Sequence, residues 1–278
     1  MKITKRILTG LLAAGMAISM TACGTSDYSG YSSAYNKMAE PGSMDADFTV
    51  SIDTDEKSIE GTGNMKLDIN KQTMYFEMTV GDTTVREYLQ DGKLYTDVDG
   101  QQSTLDTASK QQDNERPKTE GGSESKDNGD TFELDSFLEE MATMVEATKI
   151  KEMGLLDPIP SSVISEITTS DDANGKTYTL VLSDSLVKKL FNTMIGEQIS
   201  NDDYSLTFEE IKNFNCSMHE NKDGILDGMV YGGSTTVTVP AALTGGDEET
   251  FEMDITINVD INNPGSAVEV PAYNGSAA

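Results

Sequence analysis

FEMDITINVDI, residues 251–261, places Phe251, Met253, Ile255, Ile257, Val259 and Ile261 in strict alternation with five polar residues. A period of two is the signature of a strand with one buried and one wet face. The run stops at Asn262-Asn263-Pro264-Gly265, where proline removes a backbone donor and ends pairing. The same alternation recurs far upstream. Met44, Ala46, Phe48, Val50 and Ile52 form one such face, Met65, Leu67 and Ile69 a second, and Met74, Phe76, Met78 and Val80 a third. Asp55-Glu56, Asn70-Lys71, Gly81-Asp82 and Asp91-Gly92 fall between them as turn signals, and residues of this kind tolerate the positive φ of hairpin turns. The first hundred residues therefore predict an antiparallel meander of about five strands.

The last third repeats the theme. Leu206 and Phe208 open a strand, and Phe214, Cys216 and Met218 continue its apolar face. Asp223-Gly224 makes a turn, a strand follows from about Leu226 to Val239, and Val268 with Val270 are expected to close the sheet. Between the two β regions the period changes to that of a helix. Leu134, Phe137, Leu138, Met141, Met144 and Val145 make one stripe, with Ser136 and Glu139 at capping-box spacing. Leu186, Val187, Leu190, Phe191, Met194 and Ile195 make another, starting at Ser183 or Asp184. A hairpin separates them, Val163–Thr169 and Thr177–Leu182 turning at Asn174-Gly175. A third, short helix is expected from about Tyr31 to Glu40. The fold class is therefore α+β: a curved antiparallel half-barrel of about 9–11 strands around two or three amphipathic helices.

The chain starts with Lys2, Lys5 and Arg6, an apolar stretch Ile7–Met20, and the small pair Thr21-Ala22 before Cys23. That is the pattern of a secretory signal, too short for a membrane span of about 20 residues. Met20-Thr21-Ala22-Cys23 resembles the bacterial lipoprotein box, with methionine where leucine is usual. This resemblance implies a diacylglyceryl (palmitate-type) anchor on Cys23, on the extracytoplasmic side of the cell membrane. The expected organisation is a signal at 1–22, a flexible tether at 23–33, one domain at 34–271 and a polar tail at 272–278. Within the domain, residues 101–130 are expected to be a disordered polar insertion, since they offer almost nothing apolar to bury.

Composition excludes several functions. With Lys2, Lys5 and Arg6 removed, 17 basic residues face 48 acidic ones, a formal charge of −31. Nucleic acid, which binds clustered cations, is not an expected partner. Only two cysteines are present, and lipidation of Cys23 leaves Cys216 unpaired. The single histidine, His219, alternates with Asn215 and Ser217 opposite the apolar face and reads as an ordinary surface residue. No G-x-S-x-G elbow occurs. Cys216 lacks the companions of a zinc site, and Asp97-Val98-Asp99-Gly100 lacks the ligand series of a calcium loop. Glu139-Glu140, Glu209-Glu210 and Asp202-Asp203 read as solvated faces. No cofactor, metal or catalytic residue is expected, and the chain is read as a non-enzymatic monomer.

Three features together resemble bacterial lipoproteins of the LolA-like, LppX-like and LprG-like half-barrel class. They are the lipoprotein start, the strand Ala46-Asp47-Phe48-Thr49-Val50-Ser51 leading into a meander with Gly92-Lys93-Leu94-Tyr95-Thr96-Asp97, and the closing Asn262-Asn263-Pro264-Gly265. The likeness spans residues 31–271 and rests on element order. It implies that a lipid or other amphiphile occupies a hollow between sheet and helices. The expected apolar lining is Met65, Leu67, Met74, Phe76, Met78, Phe137, Met141, Met144, Leu190 and Met194. The alternative is a structural or protein-interaction lipoprotein whose helices fill the hollow; methionine and leucine suit either outcome.

Overall fold

The computed structural model describes residues 26–55, 57–106, 156–192, 207–239, 241 and 247–274. Eleven strands form one open antiparallel sheet: β1 Ser43–Thr54, β2 Ser58–Asp68, β3 Thr73–Val80, β4 Thr83–Gln90, β5 Lys93–Val98, β6 Gln101–Asp106, β7 Ile164–Asp171, β8 Gly175–Leu182, β9 Thr207–Asn221, β10 Leu226–Val239 and β11 Glu249–Asn262. Their order is β6-β5-β4-β3-β2-β1-β11-β10-β9-β8-β7. Two hairpin meanders thus meet where β1 pairs with β11, with Val50 opposite Ile257 and Phe48 opposite Val259. An open, one-sided sheet of this size fits a curved half-barrel. Two helices are present among the described residues, α1 Ser26–Ala39 and α2 Asp184–Phe191.

The hairpin turns follow from local chemistry. Asp91-Gly92 and Asp99-Gly100 both hold positive φ at each central position, the requirement of the turns that match strand twist. At the second of these turns, Asp97 accepts the Gly100 N–H at 2.9 Å and Asp99 accepts the Thr84 N–H at 2.8 Å. These aspartates staple the turn.

On β9 the spacing of inward residues is uneven: Phe208, Ile211 and Phe214 are buried at intervals of three, then Cys216 and Met218 at two. Two bulges reconcile this with a pleated strand. Glu209 is the extra residue between Phe208/Val237 and Glu210/Thr236. Asn213 and Phe214 together oppose Gly233, with Asn213 at φ 56°. Each extra residue restores the inward face and bends the strand.

Several expectations need correction. From Ser26 on, the segment expected as a tether belongs to α1, because Tyr28 and Tyr31 extend the stripe of Ala34, Tyr35 and Met38, at helical spacing, onto the sheet. The polar run from residue 101 opens with a strand, since β6 needs only backbone pairing along β5, and a polar edge strand discourages further pairing. Val268 and Val270 add no strand. β11 already has β1 and β10 on its two sides, and the chain instead passes Ser43, whose Oγ accepts the Val268 N–H at 3.0 Å. In the segment expected as a polar tail, Tyr273 stacks on Tyr95 at 4.2 Å and its hydroxyl bonds Gln102. The rest of the insertion and the helix expected at 134–148 lie outside the described residues, as do Cys23 and the segment expected as a signal.

Candidate functional site

The sheet's inner face divides into two halves with different fillings. Under β8–β10, α1 supplies the packing. Tyr31 meets Tyr28, Tyr35 and Tyr178 at ring separations of 5.7 to 6.0 Å, and its hydroxyl accepts the buried Ile159 N–H at 2.6 Å. Gly30 lets the helix come close, because a Cβ there would meet the Tyr178 hydroxyl at 2.9 Å. Cys216 is wholly buried in this half, and burial pushes its thiol well above the ordinary range, with only a Tyr231 hydrogen bond opposing. It is an inert packing group.

The other half carries the sheet residues expected to line a ligand. Met65 and Leu67 on β2 pair in register with Phe76 and Met74 on β3, and Met78 lies opposite Gly63. All five of these apolar side chains are buried. Phe48 crosses β2 over Gly63 and stacks on Phe76, centroids 5.4 Å apart and planes 15° apart; a Cβ on Gly63 would overlap the Phe48 ring. The structure therefore brings Met65, Leu67, Met74, Phe76 and Met78 together on one patch. Leu190 falls on α2, whose Val187 is buried and whose Leu186 is exposed. Phe137, Met141, Met144 and Met194 lie outside the described residues.

Along β4 the patch meets a charged residue type. Val85, Glu87 and Leu89 share the inward face, and Glu87 pairs in register with Phe76 on one side and Thr96 on the other. Glu87 is fully buried and neither carboxyl oxygen has a hydrogen-bond partner. Burial alone raises its pKa to about 8, so it is mostly protonated at neutral pH. Sequence reading passed over it, although the flanking Val85 and Leu89 already assign Glu87 to the apolar side of β4.

The outer face holds a polar groove of about 700 Å³ lined by residues including Thr49, Ser217, His219, Asp227, Asn258 and Asp260. His219 is here more than a plain surface side chain, since its Nδ1 lies 2.6 Å from Asp227 Oδ1 and both side chains are about one-third exposed. A bulge makes the pair: Asp227 is the extra residue between Leu226/Glu220 and Gly228/His219. Alternation alone gave no sign of that carboxylate. Nearby on the outer face, Asn64 bridges Asp45 and Asp47, and Lys66 pairs with Asp45 at 2.9 Å. Burial would raise the Asp45 carboxyl, but Lys66 and the Asn64 and Asn262 amides hold it below its ordinary value. These are ties between β1, β2 and β11. No cluster of metal-ligating side chains is found among the described residues, and no described helix is long and apolar enough to cross a membrane.

No family model matches the chain and no curated protein matches it. Among solved structures it is similar to a LolA superfamily protein from Nitrosomonas europaea, with 8% identity and a TM-score of 0.26, over 89% of this chain and 96% of that one. A DUF1329 family protein from Desulfovibrio piger is similar at 8% identity and a TM-score of 0.24, over 85% and 91% of the two chains. An outer membrane lipoprotein-sorting protein domain from Vibrio parahaemolyticus is similar at 7% identity and a TM-score of 0.22, over 83% and 93%. At TM-scores this low, none of the three carries weight for the fold or the function.

Proposed function

We propose that this protein is a non-enzymatic lipoprotein, anchored to the extracytoplasmic side of the membrane through Cys23, that binds a lipid or other apolar molecule against the inner face of β2–β4. The observation that carries this reading is the contrast between the two halves of the inner face. One half is packed by the aromatic stripe of α1, whereas the other is a buried patch in which Met65, Met74 and Met78 gather beside Phe76. Unbranched, polarisable methionines adapt to ligands of varied shape. A diacylglyceryl group on Cys23 supplies about 0.8 kcal/mol per buried CH₂, so two long chains hold the protein firmly.

The test is titration of purified chain carrying Cys23→Ala, so that no acyl group is attached, with the neutral apolar dye N-phenyl-1-naphthylamine. A saturable one-to-one fluorescence rise, weakened by Met74→Ala or Met78→Ala, is expected. Absence of saturable binding contradicts the reading.

A second reading is favoured by the burial of all five lining residues: a filled core, and a surface that engages other proteins. On that reading, Met74→Ala lowers stability and leaves dye binding unchanged.

A further inference from the structure

Within the buried inner face, between Phe76 on β3 and Thr96 on β5, stands a carboxyl that the chain itself leaves without a partner. Glu87 exposes no surface, and its cross-strand neighbours Phe76 and Thr96 bring no charge. Neither oxygen is hydrogen-bonded, and Glu87 is the only described residue with buried side-chain oxygens or nitrogens in that condition. A buried polar group without a partner is costly, and native proteins retain such groups where a ligand, ion or ordered water completes them. Packing does not require a glutamate here, because methionine or leucine would fill a similar volume without a polar atom.

Resting on the proposed apolar-ligand reading, we infer that Glu87 recognises the polar end of that ligand, and that this end is a hydroxyl or an amine rather than an acid. The chemistry of an apolar surround selects among headgroups. A hydroxyl and a protonated carboxyl form a neutral hydrogen-bonded pair. An amine takes the carboxyl proton and forms an ion pair that is neutral as a whole, with two acceptor oxygens facing the ammonium. A carboxylate or phosphate headgroup leaves net negative charge in the site, which burial penalises and a chain with 48 acidic residues opposes further. The ligand's apolar part then runs from β4 across Phe76 towards Met65, Met74 and Met78, which places head and tail on adjoining strands.

The test is displacement of bound N-phenyl-1-naphthylamine from the Cys23→Ala chain at pH 7 by three probes of one tail length: 1-monododecanoylglycerol, dodecylamine and dodecanoate. Wild type is expected to prefer the first two over dodecanoate by about tenfold or more. With each probe's affinity referred to the variant's own dye affinity, Glu87→Met is expected to bring the three probes within about twofold of one another. Glu87→Gln, which keeps shape and hydrogen bonding but cannot accept a proton, is expected to keep the glycerol ester and lose the preference for the amine. It also serves if Glu87→Met does not fold. An unchanged ranking in both variants, or no ranking in wild type, overturns the inference, as it would if only an ordered water completes Glu87; the apolar-ligand reading survives either result. Failure of wild type to bind the dye or any probe overturns that reading instead.

Discussion

At the scale of single residues, Glu87 makes stability depend on pH in a direction opposite to a carboxylate held below its ordinary value, such as Asp45. Its folded pKa is raised from the ordinary 4.5 to about 8 by burial, so between those values the folded chain holds a proton that the unfolded chain has lost. Glu87's contribution is therefore fully present below about pH 4.5 and declines by about 1.4 kcal/mol per pH unit as pH rises through this window. Urea denaturation of the Cys23→Ala chain at several pH values is expected to show that decline, and Glu87→Gln is expected to flatten it. An equal slope in both proteins contradicts the buried, unpartnered state. Tyr31 is the second residue on which much rests, since its hydroxyl is the acceptor for the buried Ile159 N–H. Tyr31→Phe leaves that N–H without its acceptor and is expected to cost about 1–3 kcal/mol in the same measurement.

At the scale of elements, close approach of two aromatic rings decides where glycine must stand. Gly63 lets Phe48 lie across β2 onto Phe76, and Gly233 lets Phe214 lie across β10 at the Asn213 bulge. Gly63→Ala and Gly233→Ala are each expected to destabilise by about 1–3 kcal/mol, because the ring and a backbone atom beside it, the Glu77 carbonyl at Gly63 and the Phe214 Cα at Gly233, must both give way. Circular dichroism melts check this; unchanged midpoints mean that ring and backbone both have room to move. Much of the sheet was legible in the sequence for a plain reason. Over Met44–Ile52 of β1, Met74–Val80 of β3 and Phe251–Ile261 of β11 every inward position is apolar, so parity gives both strand and face. The parity rule loses track on β9, where Phe208, Ile211 and Phe214 stand at odd spacing and only bulges reconcile them. The same limitation hid the His219–Asp227 pair, which exists because Asp227 is an inserted residue. The first helix starts five residues before the expected Tyr31, because Tyr28 sits among Ser and Gly and joins the stripe only through its contact with the buried Tyr31 ring. Glu87 was hidden by residue type, since a carboxylate inside an apolar alternation looks like noise until its burial is known.

At the scale of the whole molecule, two meanders meet along β1 and β11, leaving one half of the inner face packed by α1 and the other half rich in methionine. The proposed anchor at Cys23 is a separate matter from this body. Growth with an inhibitor of the lipoprotein signal peptidase is expected to leave the signal attached to Cys23, whereas continued cleavage there would show an ordinary secreted chain. The central claim concerns what lies against Met65, Met74, Phe76 and Met78, and native mass spectrometry of the Cys23→Ala chain, purified without detergent and compared with a delipidated control, addresses it directly. One bound amphiphile per chain, removed by delipidation and depleted in Met78→Ala, is the predicted result. A single mass equal to the bare polypeptide before and after delipidation, with no uptake of added monododecanoylglycerol, would contradict it.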